Sequence, residues 1–341
     1  MIYHFLFFLC LIIETTCALE HNQGGLIFLE DTSRSEINMA ALWPEEVIKI
    51  QGTRQLQIQI LNPKTQGKFP IILFSGGWSV NFRHYSQILN SLVAKGYIIV
   101  NIDHYYQKDT ASHSLEFDAA VAELKTALQN QDAQTKEERF TRTKLRALDV
   151  YYHDIIFVLQ QLKEILHALP EADLSRIALM GHSLGGNANK KLVENLATLP
   201  IPLEIQTAIK ACVSLDSRLN QLNLKTTFEK PSLLLGANEE YKKTDPLREL
   251  PPQSNLQLIL LEHASHVSFL DTVIFPLLGK DTKQLIAGLN SSATKETEKF
   301  LAKVKTDPKA YFNGTREELT DFLYQTVDYI NQFLKKQLLT A

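Results

Sequence analysis

The stretch LMGHSLGGN, residues 179–187, holds a serine between glycines placed two residues before it and two residues after it. It follows the apolar run SRIALM and precedes the helical pattern NANKKLVENLATL, which together predict a strand, a sharp turn and a helix. Gly181 and Gly185 let that strand and helix approach more closely than a Cβ would allow. Because a serine at such a turn projects its hydroxyl above the sheet, we predict that Ser183 is a nucleophile.

Two backbone N–H groups are expected to stabilise the negative charge that develops when Ser183 attacks a carbonyl. Leu184 begins the helix, where N–H groups have no intrahelical acceptor. The second donor is expected in the loop LFSGGWSVNF, in which Gly76 and Gly77 allow close approach of the backbone and Trp78 supplies the N–H. The Trp78 ring either lines an acyl pocket or packs over the loop.

A serine nucleophile needs a base and an acid that orients the base, and in this arrangement the acid precedes the histidine along the chain. We assign the base to His266, which opens the loop HVSFLD, rather than to His263, which closes the strand-like run LQLILLE. Asp216 ends the run AIKACVSLD, at the strand end where α/β folds place their chemistry, and is the predicted acid. Glu239 and Glu240 are the alternative acids, although their segment also resembles a solvated turn.

The order of apolar runs predicts the fold class. The early runs GLIFLE, EVIKIQ and QLQIQIL alternate polar and apolar residues, as half-buried antiparallel strands do. The later runs, such as FPIILFSGG, GYIIVNID and RIALMGHS, are almost wholly apolar and alternate with helical patterns. We therefore predict an α/β fold with a mostly parallel central sheet, antiparallel N-terminal strands and helices on both faces.

We expect one domain over residues 19–341, with a helical insertion at about 105–150. The connection from His104 to Ser175 is far longer than a crossover requires, so its first part is either a cover for the site or a solvated appendage. The chain from about Lys295 has a helical pattern and ends in an amphipathic helix, which we expect to dock on the sheet.

The N-terminal residues predict export from the cytoplasm. An apolar run at residues 5–13 is followed by small residues at Thr16 and Ala18, which favours a signal peptide over residues 1–18. The mature protein would then begin near Leu19 and be secreted or extracytoplasmic (periplasmic in a Gram-negative source), as N-terminal sequencing would show. The alternative is a buried N-terminal helix.

Composition restricts the partners. A net charge of -3 and a pI near 6.4 lack the excess of basic residues that is typical of nucleic-acid-binding proteins. The ten histidines show no metal-ligand spacing, so we expect neither a metal nor another cofactor. The apolar segment FLDTVIFPLL either touches a lipid surface transiently or forms a core helix, and Asn290 and Asn313 fit the glycosylation sequence.

Several of these stretches resemble the α/β-hydrolase superfamily and, within it, the plasma-type (group VII) platelet-activating factor acetylhydrolases. GHSLGG is similar to their GHSFGG, SHVSFLD to their H-x-x-F-x-D loop, and ACVSLDS to the strand that carries their aspartate. The segment at residues 73–104 resembles their oxyanion loop, helix and next strand, with Gly76 where they have a histidine. Carried over by position, the resemblance implies a triad of Ser183, Asp216 and His266, with Trp78 and Leu184 as backbone donors.

The resemblance implies a calcium-independent phospholipase A2-type esterase that acts on phospholipids with a short or oxidised sn-2 acyl group. From the residues alone, the substrate is a small-molecule or lipid ester. A secreted hydrolase of small esters, lactones or polyesters, resembling dienelactone hydrolases or cutinases, is the alternative. A third possibility is an inactive binding module with the same fold, and the complete set of triad residues argues against it.

Overall fold

The computed structural model describes residues 25–31, 34, 36–37, 50–51, 54–78, 80, 82–104, 133–217, 228–238, 254–286 and 291–339. The expected signal peptide and residues 105–132 of the expected insertion lie outside these ranges, as do Glu239, Glu240 and Asn290. Secretion therefore stays a prediction.

Parallel strands dominate the central sheet. The strands are β1 (Leu26–Asp31), β2 (Glu36–Ile37), β3 (Ile50–Gln51), β4 (Arg54–Leu61), β5 (Phe69–Ser75), β6 (Ile98–Asp103), β7 (Ala172–His182), β8 (Ile209–Leu215), β9 (Ser232–Ala237) and β10 (Leu256–Leu261). Eight of them form one sheet in the order β1-β4-β6-β5-β7-β8-β9-β10. β4 is antiparallel to β1 and β6, and every pair from β6 to β10 is parallel. The predicted mixture of antiparallel and parallel strands is confirmed, while β2 and β3 pair separately.

Helices cover both faces of this sheet. They are α1 (Ser86–Ala94), α2 (Ala133–Ile165), α3 (Leu184–Asn195), α4 (Leu203–Ala208), α5 (Asp271–Leu278), α6 (Lys283–Ile286), α7 (Ser291–Thr306) and α8 (Arg316–Leu338). Side chains of β5 alternate between two apolar clusters, as the two-residue period of a strand requires. Ile71 and Leu73 join the cluster with α2 and α3, whereas Ile72 and Phe74 join the cluster with α1, α5 and α8.

Helix α2 is 33 residues long and forms much of the long connection between His104 and Ser175. It begins inside the charged segment at residues 131–144, because Glu, Lys and Arg are good helix formers. Residue 150, where the insertion is expected to end, lies inside this helix. The buried side chains Leu148, Tyr151 and Ile155 recur at helical spacing and pack α2 against the sheet.

Both apolar helices late in the chain belong to the core. In α5 the side chains of Val273, Ile274 and Phe275 are buried, which is the core alternative for the segment FLDTVIFPLL. In α8 the apolar face that includes Ile330 and Leu334 is buried beside the sheet, so the predicted docking of this helix is confirmed. Among the helices in the described residues, none combines the length and apolar composition needed to cross a membrane.

A buried ionic cluster joins β4, the end of β6 and α2. The Arg54 guanidinium donates to both carboxylate oxygens of Asp154, at 3.1 and 2.7 Å, and to the carbonyl of His104 at 2.7 Å. His104 Nδ1 lies 2.9 Å from Asp154 Oδ2, and all three side chains are almost fully buried. Burial raises the pKa of Asp154, but Arg54 and the bond from His104 outweigh it and hold that pKa well below its usual range.

Removing the charge of Asp154 should therefore destabilise the fold strongly. Asp154→Asn leaves Arg54 buried beside a neutral amide, which costs about 3–5 kcal/mol of the free energy of unfolding. Asp149→Asn is the matched control, since Asp149 lies on the same helix and pairs with Lys191 at the surface. Urea denaturation should find that control within about 1 kcal/mol of the wild type. Equal effects of the two substitutions would contradict this role of the cluster.

Candidate active site

Ser183 occupies the junction of β7 and α3 in a strained conformation. Its φ of 52° lies in the left-handed region, which side chains other than glycine rarely adopt. Although Ser183 is the N-cap residue of α3, its side chain makes no capping hydrogen bond. The hydroxyl therefore lies at the turn and does not cap the helix, as a nucleophile requires.

The glycines around Ser183 are required by space. A Cβ on Gly181 would lie 2.5 Å from the carbonyl carbon of Gly185, and a Cβ on Gly185 would lie 2.2 Å from the carbonyl oxygen of Ser75. Both distances are shorter than contacts that a Cβ can make. The predicted reason for these two glycines thus agrees with the structure. Gly186, which the prediction did not include, is also crowded, because its Cβ would lie 1.9 Å from the side-chain oxygen of Ser217 and 3.0 Å from the carbonyl oxygen of Gly181.

Asp216 and His266 are brought together by the ends of β8 and β10. His266 Nδ1 and Asp216 Oδ2 are 2.5 Å apart, and the second carboxylate oxygen of Asp216 accepts the N–H of Ala237 at 2.8 Å. The N–H of Ser183 donates to the carbonyl of Leu215 at 2.9 Å, which places Ser183 beside the residue that precedes Asp216. Burial raises the pKa of Asp216, but the contacts with His266 and Ala237 outweigh it, so the pKa lies below its usual value.

An ionised Asp216 determines which His266 nitrogen carries the proton. A carboxylate only accepts hydrogen bonds, so His266 Nδ1 donates to it and Nε2 keeps the lone pair that can take a proton from a hydroxyl. The His266 side chain is 26% exposed, whereas Asp216 is fully buried.

His263 lies at the strand end as predicted, with Nδ1 bonded to the carbonyl of Asn313 at 2.8 Å, and the structure does not place it with Asp216.

The loop with the predicted oxyanion donor is held at Gly77 from two sides. The N–H of Gly77 donates to the Tyr85 hydroxyl at 2.7 Å, and the carbonyl of Gly77 accepts from the Tyr151 hydroxyl at 3.0 Å. The N–H of Gly77 is therefore occupied, and the Trp78 N–H stays the predicted donor of this loop. The Trp78 ring is half-buried against the apolar cluster of α2 and α3, which is the packing alternative.

The comparisons with known proteins agree with this architecture. A family model described as chlorophyllase matches residues 44–154, which is less than half of the chain. Platelet-activating factor acetylhydrolase of Cavia porcellus is 24% identical over 235 residues, which are 61% of this chain and 50% of that protein. The chain therefore matches half the length of this curated relative. The solved ferulic acid esterase from Streptomyces cinnamoneus superposes with a TM-score of 0.55 and 14% identity, covering 93% of this chain and 89% of that one.

The chain has the α/β-hydrolase fold. The superposition over most of both chains and the strand order support this assignment together, so the predicted fold is confirmed. The α/β-hydrolase fold also accounts for the positions of Ser183, Asp216 and His266, since each follows the carboxyl end of a parallel strand.

His182 connects the two sides of the site, and sequence reasoning missed it. Its Nε2 lies 2.9 Å from the carbonyl of His266 and its Nδ1 lies 3.0 Å from the Tyr85 hydroxyl. Because a carbonyl only accepts, Nε2 carries the proton and the Tyr85 hydroxyl donates to Nδ1. The Tyr85 oxygen in turn accepts from Gly77, so one chain of hydrogen bonds joins the oxyanion loop to the His266 backbone. The position of His182 between Gly181 and Ser183 was the only sequence signal for this role.

This arrangement predicts an acid-sensitive contribution to stability. Burial, aided by repulsion from His266, lowers the pKa of His182 from 6.5 to about 3. Between pH 6.5 and about pH 3, His182 is therefore protonated in the unfolded chain and neutral in the folded chain. The contribution of neutral His182 to the free energy of unfolding is complete above pH 6.5 and is lost progressively as the pH falls toward 3.

His182→Gln, whose amide has a donor and an acceptor but does not titrate, should flatten the fall of stability between pH 6.5 and pH 4. Chemical denaturation at a series of pH values measures this slope. His167→Gln, at an exposed position on the turn after α2, should leave the slope as in the wild type. An unchanged slope in His182→Gln would show that His182 does not contribute to it.

Proposed function

We propose that this protein is a serine esterase that hydrolyses carboxylic esters through an acyl-serine intermediate. The observation that carries the proposal is the hydrogen bond between His266 and the buried carboxylate of Asp216, at the strand end next to the strained Ser183. A buried acid, a partly exposed histidine and a serine whose hydroxyl does not cap its helix, all at the same end of the parallel strands, form the arrangement that activates a serine. The likeness to esterases in fold and the resemblance in motifs support the same reaction class.

Each step uses a group already described. Ser183 Oγ attacks the ester carbonyl while His266 Nε2 takes the hydroxyl proton, and Asp216 stabilises the imidazolium that results. The N–H groups of Trp78 and Leu184 hold the oxyanion of the tetrahedral intermediate. As the intermediate collapses, the C–O bond to the alcohol breaks and the proton passes from His266 to the leaving oxygen. A water molecule, deprotonated by His266, then releases the acid from Ser183.

We propose further that the substrate is a lipid ester with a short acyl group, such as a phospholipid with an sn-2 acetyl chain. This step rests on the 24% identity to a platelet-activating factor acetylhydrolase and on the motifs GHSLGG and SHVSFLD. The mechanism assigns no step to calcium, because His266 and Asp216 generate the nucleophile themselves. Hydrolysis is therefore proposed to be independent of calcium, at a lipid surface or in solution.

The test of the reaction class is the replacement of the proposed nucleophile. Ser183→Ala should lower the hydrolysis of a short p-nitrophenyl ester by several orders of magnitude, because only the reacting hydroxyl is removed. A fluorophosphonate probe should label the wild type at Ser183, as peptide mapping would show, and should not label the variant. Ser91→Ala, on the exposed side of α1, should behave as the wild type. Activity of Ser183→Ala within about tenfold of the wild type would exclude this mechanism.

The test of the substrate class is a panel of phosphatidylcholines with sn-2 acetyl, butanoyl, hexanoyl and palmitoyl chains, assayed with a chelator. A buried methylene changes binding by at most about 0.8 kcal/mol, so the rate should fall gradually with chain length, with no sharp limit. The chelator should have no effect. Rapid hydrolysis of soluble esters or polyesters, with no hydrolysis of any phospholipid, would favour the second substrate class considered from the sequence.

A further inference from the structure

Tyr151 bonds to the same peptide unit that carries the predicted oxyanion donor. The carbonyl of Gly77 and the N–H of Trp78 belong to one planar trans peptide, in which the C=O and N–H point in opposite directions. Any group that fixes the carbonyl therefore fixes the direction of the N–H. The carbonyl of Gly77 accepts two hydrogen bonds, one from the N–H of Val80 at 3.2 Å within the loop and one from the Tyr151 hydroxyl at 3.0 Å. Tyr151 is the partner from outside the loop, and its side chain is 1% exposed.

We infer that Tyr151 is a positioning residue, whose hydroxyl aims the Trp78 N–H at the oxyanion by holding the carbonyl of Gly77. The inference rests on the proposed esterase function, since it assigns a role within that reaction. Tyr151 itself touches no reacting atom. Its effect reaches the transition state through the orientation of one backbone N–H.

The buried ionic cluster described above holds Tyr151 in place. Its ring stacks on the His104 ring, with centroids 3.8 Å apart and an interplanar angle of 17°. His104 is fixed in turn, because its Nδ1 meets Asp154 and its Nε2 lies 3.2 Å from Ser75 Oγ. Ser75 is the last residue of β5 and directly precedes the oxyanion loop. His104 thus links Ser75, where the loop begins, to Tyr151, which holds the peptide between Gly77 and Trp78.

The two tyrosines at Gly77 have different tasks. Tyr85 accepts the N–H of Gly77 and so fixes the peptide between Gly76 and Gly77, whereas Tyr151 fixes the next peptide. Only the second peptide carries the Trp78 N–H. A hydroxyl that donates to a peptide carbonyl also polarises the peptide and makes its N–H a stronger donor. Tyr151 therefore contributes both direction and strength to that N–H.

The experiment replaces the hydroxyl of Tyr151 and measures ground-state and transition-state interactions separately. Tyr151→Phe should lower kcat for a short p-nitrophenyl ester by about tenfold or more, since losing an oxyanion donor outright costs about 10²–10³-fold. KM should stay within about twofold, and the inhibition constant of a trifluoromethyl ketone, which forms an oxyanion on the serine, should rise by the same factor as kcat falls.

Tyr97→Phe is the matched control. Tyr97 is another buried tyrosine, and its hydroxyl donates to the side-chain and backbone oxygens of Asn331 in α8, outside the site. Both variants should lose similar thermal stability, and only Tyr151→Phe should lose kcat. If Tyr151→Phe does not fold, 4-methylphenylalanine at position 151 refills the volume without a donor, and 4-aminophenylalanine restores a donor and should restore most of kcat.

The outcomes separate the two proposals. If the wild type hydrolyses esters and Tyr151→Phe keeps kcat and the ketone inhibition constant within threefold, the role of Tyr151 is overturned while the esterase function stands. Equal kcat for the 4-methyl and 4-amino variants overturns it as well. If the wild type hydrolyses no ester and takes up no fluorophosphonate, the esterase function fails, and the role of Tyr151 fails with it.

Discussion

The close approach of α3 to the end of β5 is the constraint on which the site depends. The backbone at Gly185 lies so near the carbonyl oxygens of Ser75 and Gly76 that a Cβ would lie within 2.5 Å of either. This approach brings the first turn of α3, with the Leu184 N–H, beside the loop that carries the Trp78 N–H. Two donors from distant parts of the chain can converge on one oxyanion only when nothing separates these backbones. The strain of Ser183 follows from the same geometry, since the chain has to turn sharply to begin α3 there.

Side chains then lock the loops that this approach brings together. Tyr85 and Tyr151 bind successive peptides of the oxyanion loop, and His182 ties Tyr85 to the backbone of His266. Groups that are already oriented need no reorganisation when charge develops, which is why fixed dipoles stabilise transition states better than mobile water does. The low pKa of His182 fits this arrangement, because a neutral ring can donate at one nitrogen and accept at the other.

The sequence predicts the parts of this molecule whose signals are local. Apart from EVIKIQ, whose last two residues form β3 outside the central sheet, the strand-length apolar runs correspond to strands of that sheet, and the elbow is contained in consecutive residues around Ser183. Asp216 and His266 could be proposed because each follows a recognisable strand. The residues that orient the loop could not, because Gly77 and Tyr151 are 74 residues apart and no pattern within α2 shows which tyrosine faces the loop. His104 directly follows the end of β6 and lies at the centre of a buried cluster, a role that no local sequence pattern indicates.

The fold contains a serine, a histidine and an aspartate in hydrogen-bond order at a second place, and the contrast shows what makes such a set reactive. Ser75, His104 and Asp154 are linked by hydrogen bonds of 3.2 and 2.9 Å, yet each is almost fully buried. Arg54 pairs with Asp154, and burial lowers the pKa of His104 against the opposing effect of that carboxylate. An ester cannot reach Ser75, which is fully buried at the end of β5, whereas Ser183 lies at a turn and His266 is partly exposed. The two sets therefore share their residue types and differ in backbone conformation and exposure, which is why the proposed nucleophile is Ser183 and not Ser75.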